Sequence, residues 1–481
     1  MPADPVLALT WRERLSLWGY GLFMCAITPL LRRKLRRRGQ AEPGYLVDVE
    51  QRFGRYTSPP GYLDHADLVG EASRPGFVWV HAVSLGETRA AALLLQALRA
   101  RLPGVPVLLT HGTATGRAEG AKLLQPGDVQ VWQPWDTPGT AQRFLAHFRP
   151  VLGVLMETEV WPHWVQAAQA AGVPLYLVNA RLSDKSLRQA QALPVLSGPA
   201  YRGLTGVLAQ TEVDAGRLRM LGAPVEAVGE VGGTGASGAG TSIAPGRAGS
   251  PSHAFGNLKF DVRPDPAQLA LGQQWRGAVG ARPVVMLASS REGEEQLWLE
   301  TLARHPRARH MVWLVVPRHP QRFDAVAHML TQAGLAVYRR SDWSPGRPGD
   351  GATADVWLGD SLGEMPAYYA MADMAWLGGS FMPLGGQNLI EAAACGCPVI
   401  MGPHTFNFAD AADQAERGGA ALRVADMDEA LSRTLDWIDH PAERVAAQGA
   451  GLRLWQQGQG AVERYAVRVA DAYRAALARR A

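Results

Sequence analysis

From Phe77 onward, short apolar runs alternate with helix-periodic stretches, and the alternation comes in two series. The first predicts strands over residues 77–83, 105–110, 129–132, 151–156, 174–179, 207–210 and 225–228. The second predicts strands over 283–288, 311–316, around 337, and over 356–358, 374–377, 399–401 and 421–424. Continuous apolar runs of this length, each followed by a helical stretch, are the pattern of parallel strands buried on both faces. The expected fold is therefore α/β, with two Rossmann-like domains facing a central cleft at the carboxyl ends of their strands. Residues 229–256, rich in Gly, Ala and Ser, read as a flexible insertion without catalytic content. These patterns divide the chain into 1–38 (an N-terminal anchor with a basic segment), 39–228 (first domain), 229–256 (linker) and 257–481 (second domain). The last helices, over about 441–479, are expected to dock back on the first domain.

The anchor rests on an uncharged stretch of 17 residues, 15–31, near the lower limit for crossing a bilayer. It is followed by Arg32, Arg33, Lys34, Arg36, Arg37 and Arg38. A basic cluster after an apolar run opposes translocation of the downstream chain, so the body of the protein is expected on the cytoplasmic side. Competing readings are a signal peptide and a buried amphipathic helix.

Charge changes the picture only locally. Without those six basic residues the net charge of +4 becomes −2, which argues against a nucleic-acid-binding face and for attraction to anionic headgroups. A hydrophobic content of 47% with 19% charged residues excludes a disordered chain. Cys25, Cys395 and Cys397 form neither a disulfide framework nor a zinc pattern.

Candidate chemistry clusters after predicted strands. Residues 378–408 hold two glycine-rich loops around one predicted helix. Glycine lets backbone N–H groups approach an anion, and the helix start adds partial positive charge, which suits a phosphate. Glu391, three residues after Asn388, shares its helical face and can accept hydrogen bonds from two ribose hydroxyls. The competing reading is a purely structural strand-to-helix turn.

In the first series, Val80-His81-Ala82-Val83-Ser84-Leu85-Gly86-Glu87 leads a strand through a turn into a helix. Glu87 is a candidate general base; equally, it is an acid complementing a helix dipole, which would lower its basicity. Of Glu157 and Glu159, at least one is expected to face the cleft and the other to cap the following helix. In the second series Pro317, Arg318 and His319 end a strand, and Lys259 follows the linker. Lys259 and Arg318 could neutralise a phosphate and a substrate carboxylate, or be ordinary solvated charge. Gly363, Glu364 and Met365 open a further helix and offer backbone N–H groups.

Other signals carry less. Asp426-Met427-Asp428 fits a helix cap better than a metal site. Gly359-Asp360-Ser361-Leu362-Gly363 matches a short esterase signature around Ser361, but no Asp-x-x-His follows. No G-x-G-x-x-G follows the first strand, which weakens a nicotinamide enzyme.

At residues 81–87, 156–162, 178–183, 256–261, 317–320, 359–365, 385–391 and 402–408 the chain resembles the 3-deoxy-D-manno-octulosonic acid (Kdo) transferases of lipopolysaccharide assembly, inverting glycosyltransferases of the GT-B type. The resemblance implies CMP-Kdo as donor, a lipid A precursor (lipid IVA) as acceptor and work at the inner membrane. CMP already carries its phosphate as a leaving group, so no metal or other cofactor is expected. It implies Glu87 as proton acceptor and Glu157 and Lys259 as transition-state stabilisers. It implies a CMP site from Pro317, Arg318, Gly363, Glu364, Met365, Asn388, Leu389, Ile390 and Glu391. Two departures touch the pocket surroundings: Gln387 where the family suggests histidine and Ala392 where it suggests proline. The rival functions are a lipid esterase using Ser361, a non-catalytic membrane nucleotide sensor and, within the same fold, a transferase using another activated sugar.

Overall fold

The computed structural model describes residues 9–57, 76–229, 252–343 and 353–480. It divides into two compact units, Met1–Asp261 with Gly460–Ala481, and Val262–Gln459.

The first unit is built on a six-stranded parallel sheet of β1 (Val78–His81), β2 (Val107–His111), β3 (Val129–Trp132), β4 (Leu152–Met156), β5 (Leu175–Ala180) and β6 (Gly206–Ala209), in the order β3-β2-β1-β4-β5-β6. The chain order reverses between β1 and β4, the crevice where ligands bind in such sheets. β1 is buried on both faces. Val78 and Val80 pack against the helix Leu85–Arg101 and the C-terminal helix Ala461–Ala478, while Trp79 packs on the opposite side against Phe144 and Trp164. Replacing a buried tryptophan such as Trp79 by alanine would cost about 3–5 kcal/mol. The expected strand at 225–228 contributes a single bridge, Val207 to Val225. Val228 instead donates to Ser252 as the chain leaves the sheet.

Two domain boundaries differ from the sequence reading. Residues 230–251 of the linker lie outside the described residues, but Ala254–Gly256 pair with or bond to the end of β6. Phe255 and Gly256 donate to Ala209 and Gln210, and Phe255, 2% exposed, stacks on Tyr465. Asn257–Asp261 then fold with the first unit rather than the second. Asp261 marks the junction, because its carboxylate accepts from the amides of Gly460 and Val462, both at 2.6 Å, where the chain returns. The helix Ala461–Ala478 packs on Leu85–Arg101, and Tyr473 donates to the carbonyl of Gly76 at 2.8 Å.

The N-terminal segment likewise clusters with the first unit. Its apolar stretch is broken at Ile27 into the helices Trp11–Ala26 and Thr28–Ala41, bent by 48°. Pro29, in the first turn of the second helix, lacks the N–H that a continuous helix would use. At 16 residues the first helix is roughly 24 Å long, short of a bilayer core. No single described helix is long and apolar enough to cross a membrane, although the bent pair passes together by length and composition. One face docks on the unit: Glu13 pairs with Arg202 at 2.5 Å and Tyr20 stacks on His163 at 5.3 Å. The other exposes Trp11, Leu15, Trp18 and Leu22 at helical spacing. Of the basic residues, Arg32 pairs with Glu50 and Arg38 approaches Glu42, whereas Arg33, Lys34, Arg36 and Arg37 are exposed to solvent.

The second unit holds a seven-stranded parallel sheet of β7 (Val284–Ser290), β8 (Val312–Pro317), β9 (Val337–Arg339), β10 (Val356–Leu358), β11 (Met374–Leu377), β12 (Val399–Met401) and β13 (Ala421–Arg423). The order is β13-β12-β11-β7-β8-β10-β9, with the reversal between β7 and β11. The ends of those two strands approach so closely that a Cβ at Gly378 would lie 2.4 Å from the carbonyl oxygen of Ser289. The core is rich in indoles: Trp298, Trp313 and Trp376 meet edge to face.

Candidate active site

In the first unit the turn after β1 gives Glu87 its position. Ser84 caps the helix, its hydroxyl accepting from the Glu87 amide. The Glu87 carboxylate in return accepts from Ser84 Oγ at 3.0 Å and from the Val83 amide at 2.8 Å. The role at the helix start raised by the sequence is therefore real. Its inferred electrostatic consequence is reversed. Burial, then the neighbouring Glu157 and Glu159, outweigh the two hydrogen bonds and push the Glu87 carboxyl up to about 7. A carboxyl titrating there is matched to taking a proton near neutral pH.

Across the reversal point, β4 ends at Met156, and Glu157 directly after it is 3% exposed and left-handed at φ 58°. A non-glycine residue in that region stores roughly 1 kcal/mol or more. One oxygen of Glu157 accepts from Lys259 Nζ at 3.1 Å and the other from Arg181 Nε at 2.8 Å. Burial alone would raise the Glu157 carboxyl, but the two cations hold it below the usual range. It is thus an anion at neutral pH. Asn179, also left-handed at φ 54°, lies near the end of β5 before Arg181 and accepts from the Leu258 amide at 3.1 Å, fixing the short turn that bears Lys259.

Glu159 does not cap the next helix. It accepts from the indole of Trp161 at 2.7 Å, and burial raises its carboxyl. The start of Pro162–Ala170 is served by Asp136, which accepts from the amides of His163 and Trp164.

In the second unit the predicted donor residues stand along one edge of the sheet, at the carboxyl ends of its strands. Pro317 ends β8 and Arg318 follows it, donating to Gln387 Oε1 at 3.3 Å. Gly363, left-handed at φ 83°, and Glu364 lead from β10 into the helix Met365–Met371. Asn388 caps the helix Leu389–Ala394, its side chain accepting from Ile390. Leu389 and Ile390 are buried in the core, leaving Glu391 half-buried one turn on.

The glycine-rich loop departs from its expected use. The amides of Gly379 and Phe381 donate to the buried carboxylate of Glu294, at 2.7 and 3.1 Å, and Gly386 donates to Gly379. These N–H groups hold the loop together instead of standing ready for a phosphate. In the sequence Glu294 reads as an ordinary acid at a helix start, with no sign of this partnership. Lys259 is also relocated: it belongs to the first unit with Glu157, while Arg318 belongs to the second.

Two rival signals resolve. Ser361 shares its hydroxyl with Glu364 and with Tyr368, the latter at 2.6 Å, and no described histidine contacts it. Asp426 caps the helix Met427–Asp439, and Asp428 pairs with Arg304 and His305.

Residues 48–234 match the family model described as 3-deoxy-D-manno-octulosonic-acid transferase. Over 450 residues, 91% of this chain and 94% of the relative, the sequence is 47% identical to a 3-deoxy-D-manno-octulosonic acid transferase of Bordetella pertussis. The chain belongs to the Kdo transferase family. A namesake from Haemophilus influenzae is 28% identical over 88% of this chain and 90% of its own length. In fold, the transferase is similar to a glycosyltransferase of Rickettsia africae, with TM-score 0.51, 12% identity, and coverage of 84% of this chain and 99% of that one. It is also similar to the Anabaena protein Alr3699/HepE solved with UDP-glucose, with TM-score 0.50, 15% identity, and coverage of 81% and 97%. Two parallel α/β units of the GT-B glycosyltransferase type are therefore the fold of this enzyme. Arg181 is a site residue that sequence reasoning left without a role, as one member of the stretch 178–183. A cation directly after a strand of a buried parallel sheet is the signal that could have assigned it a partner.

Proposed function

We propose that this Kdo transferase moves Kdo from CMP-Kdo to a hydroxyl of a lipid A precursor, lipid IVA, with inversion at the anomeric carbon. The observation that carries this reading is the half-buried Glu87 at the reversal point of the first sheet, with its carboxyl raised to about 7. Glu87 accepts the proton of the acceptor hydroxyl as that oxygen bonds to the anomeric carbon. The bond from that carbon to the phosphate oxygen breaks, and CMP leaves with the electron pair. Lys259, supported by the anionic Glu157, stabilises the negative charge that develops. Arg318 and the backbone at Pro317 and at Gly363–Met365 bind the CMP phosphate and base, and Glu391, set by Asn388, takes the ribose hydroxyls. CMP already carries its own phosphate leaving group, so the residues described suffice for this step.

The acceptor is a membrane lipid on this reading. We place the stripe Trp11, Leu15, Trp18 and Leu22 in the cytoplasmic leaflet of the bacterial inner membrane, with Arg33, Lys34, Arg36 and Arg37 against its anionic headgroups. An amphipathic helix lying in the interface suits the short, bent segment better than a span does.

The test is mass spectrometry of lipid IVA after incubation with CMP-Kdo and the detergent-solubilised enzyme. A mass gain of whole Kdo units, abolished in Glu87→Ala, supports the proposal. An unchanged lipid beside demonstrable CMP binding overturns it.

A further inference from the structure

One carboxylate needs one cation for neutrality, yet Glu157 has two. Lys259 and Arg181 each take a single oxygen, so neither is chelated by the whole carboxylate. Lys259 is only 17% exposed in its side chain and Glu157 4%, whereas Arg181 is 40% exposed. The arrangement is rigidly built. The Arg181 amide donates to the carbonyl of Glu157 at 3.2 Å, and Leu182 just beyond it donates to Asp214 at 2.8 Å. The left-handed residues Glu157 and Asn179 bring the ends of the paired strands β4 and β5 to the same place. A surface ion pair gives no reason for two strained residues at adjacent strand ends.

We propose that Arg181 is a positioning residue for the transfer reaction: by occupying one oxygen of Glu157 it keeps Lys259 on the other, and it adds the positive charge that offsets Glu157 beside Glu87. The inference rests on the proposed roles of Glu87 and Lys259. Without Arg181, Lys259 would swing to engage both oxygens of Glu157, and its ammonium would be withdrawn from the departing group. Glu87 would at the same time lose a compensating charge and bind its proton more tightly.

The charged groups around Glu87 make this readable. Glu157 and Glu159 follow β4, Arg181 follows β5, and Lys259 lies in the short turn. On the neighbouring helix Ala114–Ala121, Arg117 pairs with Asp48, and Glu119 pairs with Lys122 just beyond the helix. His111 at the end of β2 is held neutral by burial. Burial displaces the carboxyls of Glu87 and Glu159 upward, and on the proposed function Glu87 occupies the proton-accepting position.

The experiment compares Arg181→Met and Arg181→Lys with the parent enzyme, and Glu157→Gln/Arg181→Met with Glu157→Gln, all in the full-length protein. Readouts are kcat and KM for donor and acceptor across pH, thermal unfolding, and carbon NMR titration of the Glu87 carboxyl. Arg181→Met is expected to lower kcat about 10–100-fold with both KM values within about threefold. It should also move the Glu87 titration up by about one pH unit, and Arg181→Lys should restore its position. Because Arg181 acts through Glu157, the kcat loss should largely vanish on the Glu157→Gln background. An unmoved Glu87 titration, an unchanged kcat, or an equal kcat loss on both backgrounds overturns the inference. A lowered melting temperature with normal kcat for the folded fraction would likewise reduce Arg181 to a structural role. If the parent enzyme transfers no Kdo, the proposed function fails, and the NMR titration still decides whether Arg181 controls Glu87.

Discussion

The carboxyl edges of the two sheets solve different problems with the same architecture. In the first unit the strands beside the reversal point lead into ionisable side chains: Glu87, raised by burial and by the neighbouring Glu157 and Glu159, and Glu157, which Lys259 and Arg181 hold low against its burial. In the second unit they lead into glycine turns and backbone, where the buried Glu294 is spent on internal amides and Glu295 beside it is locked in a pair with Arg322. Burial is high at both. What differs is the partner: a carboxylate held by cations keeps its charge available to a neighbour, whereas one held by backbone amides fixes a loop. On the proposed function, the first edge is therefore suited to moving protons and charge, and the second to presenting a fixed shape to the nucleotide.

The largest expected effect would break this contrast at its acid end. Glu87→Gln should lower transfer by about 10²–10⁴-fold, with CMP-Kdo binding retained by equilibrium measurement. Wild-type-like turnover would move proton transfer elsewhere. The same residue sets the pH dependence. Glu87 must be ionised to accept a proton, so kcat/KM should rise as pH increases toward about 7 and fall about tenfold per unit below it. An acid limb near the ordinary carboxylate value of 4.5 would show that burial does not control this group.

The second edge should respond in binding rather than chemistry. Arg318→Ala is expected to raise the KM for CMP-Kdo about 10–100-fold with a smaller change in kcat, checked by steady-state kinetics. A loss confined to kcat would erase the division of labour between the two edges.

Smaller effects sharpen the role of the surrounding segments. Trp18→Glu, on the exposed stripe, should weaken partition into vesicles containing anionic lipid while leaving turnover in detergent within about twofold. Deleting residues 231–250 should leave activity within about twofold, because the contacts that lead into Lys259 begin at Ser252. Extending that deletion through Phe255 should lower activity sharply, since it removes the strand-like contact with β6.

The amino-acid sequence by itself determined the two parallel sheets, because runs such as 151–156 and 311–316 are apolar at every position and have nowhere to lie but between helix layers. It also determined the loops that bear Glu87, Glu157, Arg318 and Asn388–Glu391, because a polar residue soon after such a run marks the strand's carboxyl end. Tertiary structure alone decided the rest. The N-terminal apolar stretch is continuous in composition, but Pro29 and the docking of Glu13 and Tyr20 split it into two helices. Lys259 follows a linker in the sequence, yet Asn179 and the packing of Phe255 bind it into the first unit. The charge of Glu157 depends on Arg181, 24 residues away along the chain, and on Lys259, 102 residues away. A carboxylate's basicity is set by burial and by charges within a few ångströms, and those distances exist only once the strands are side by side.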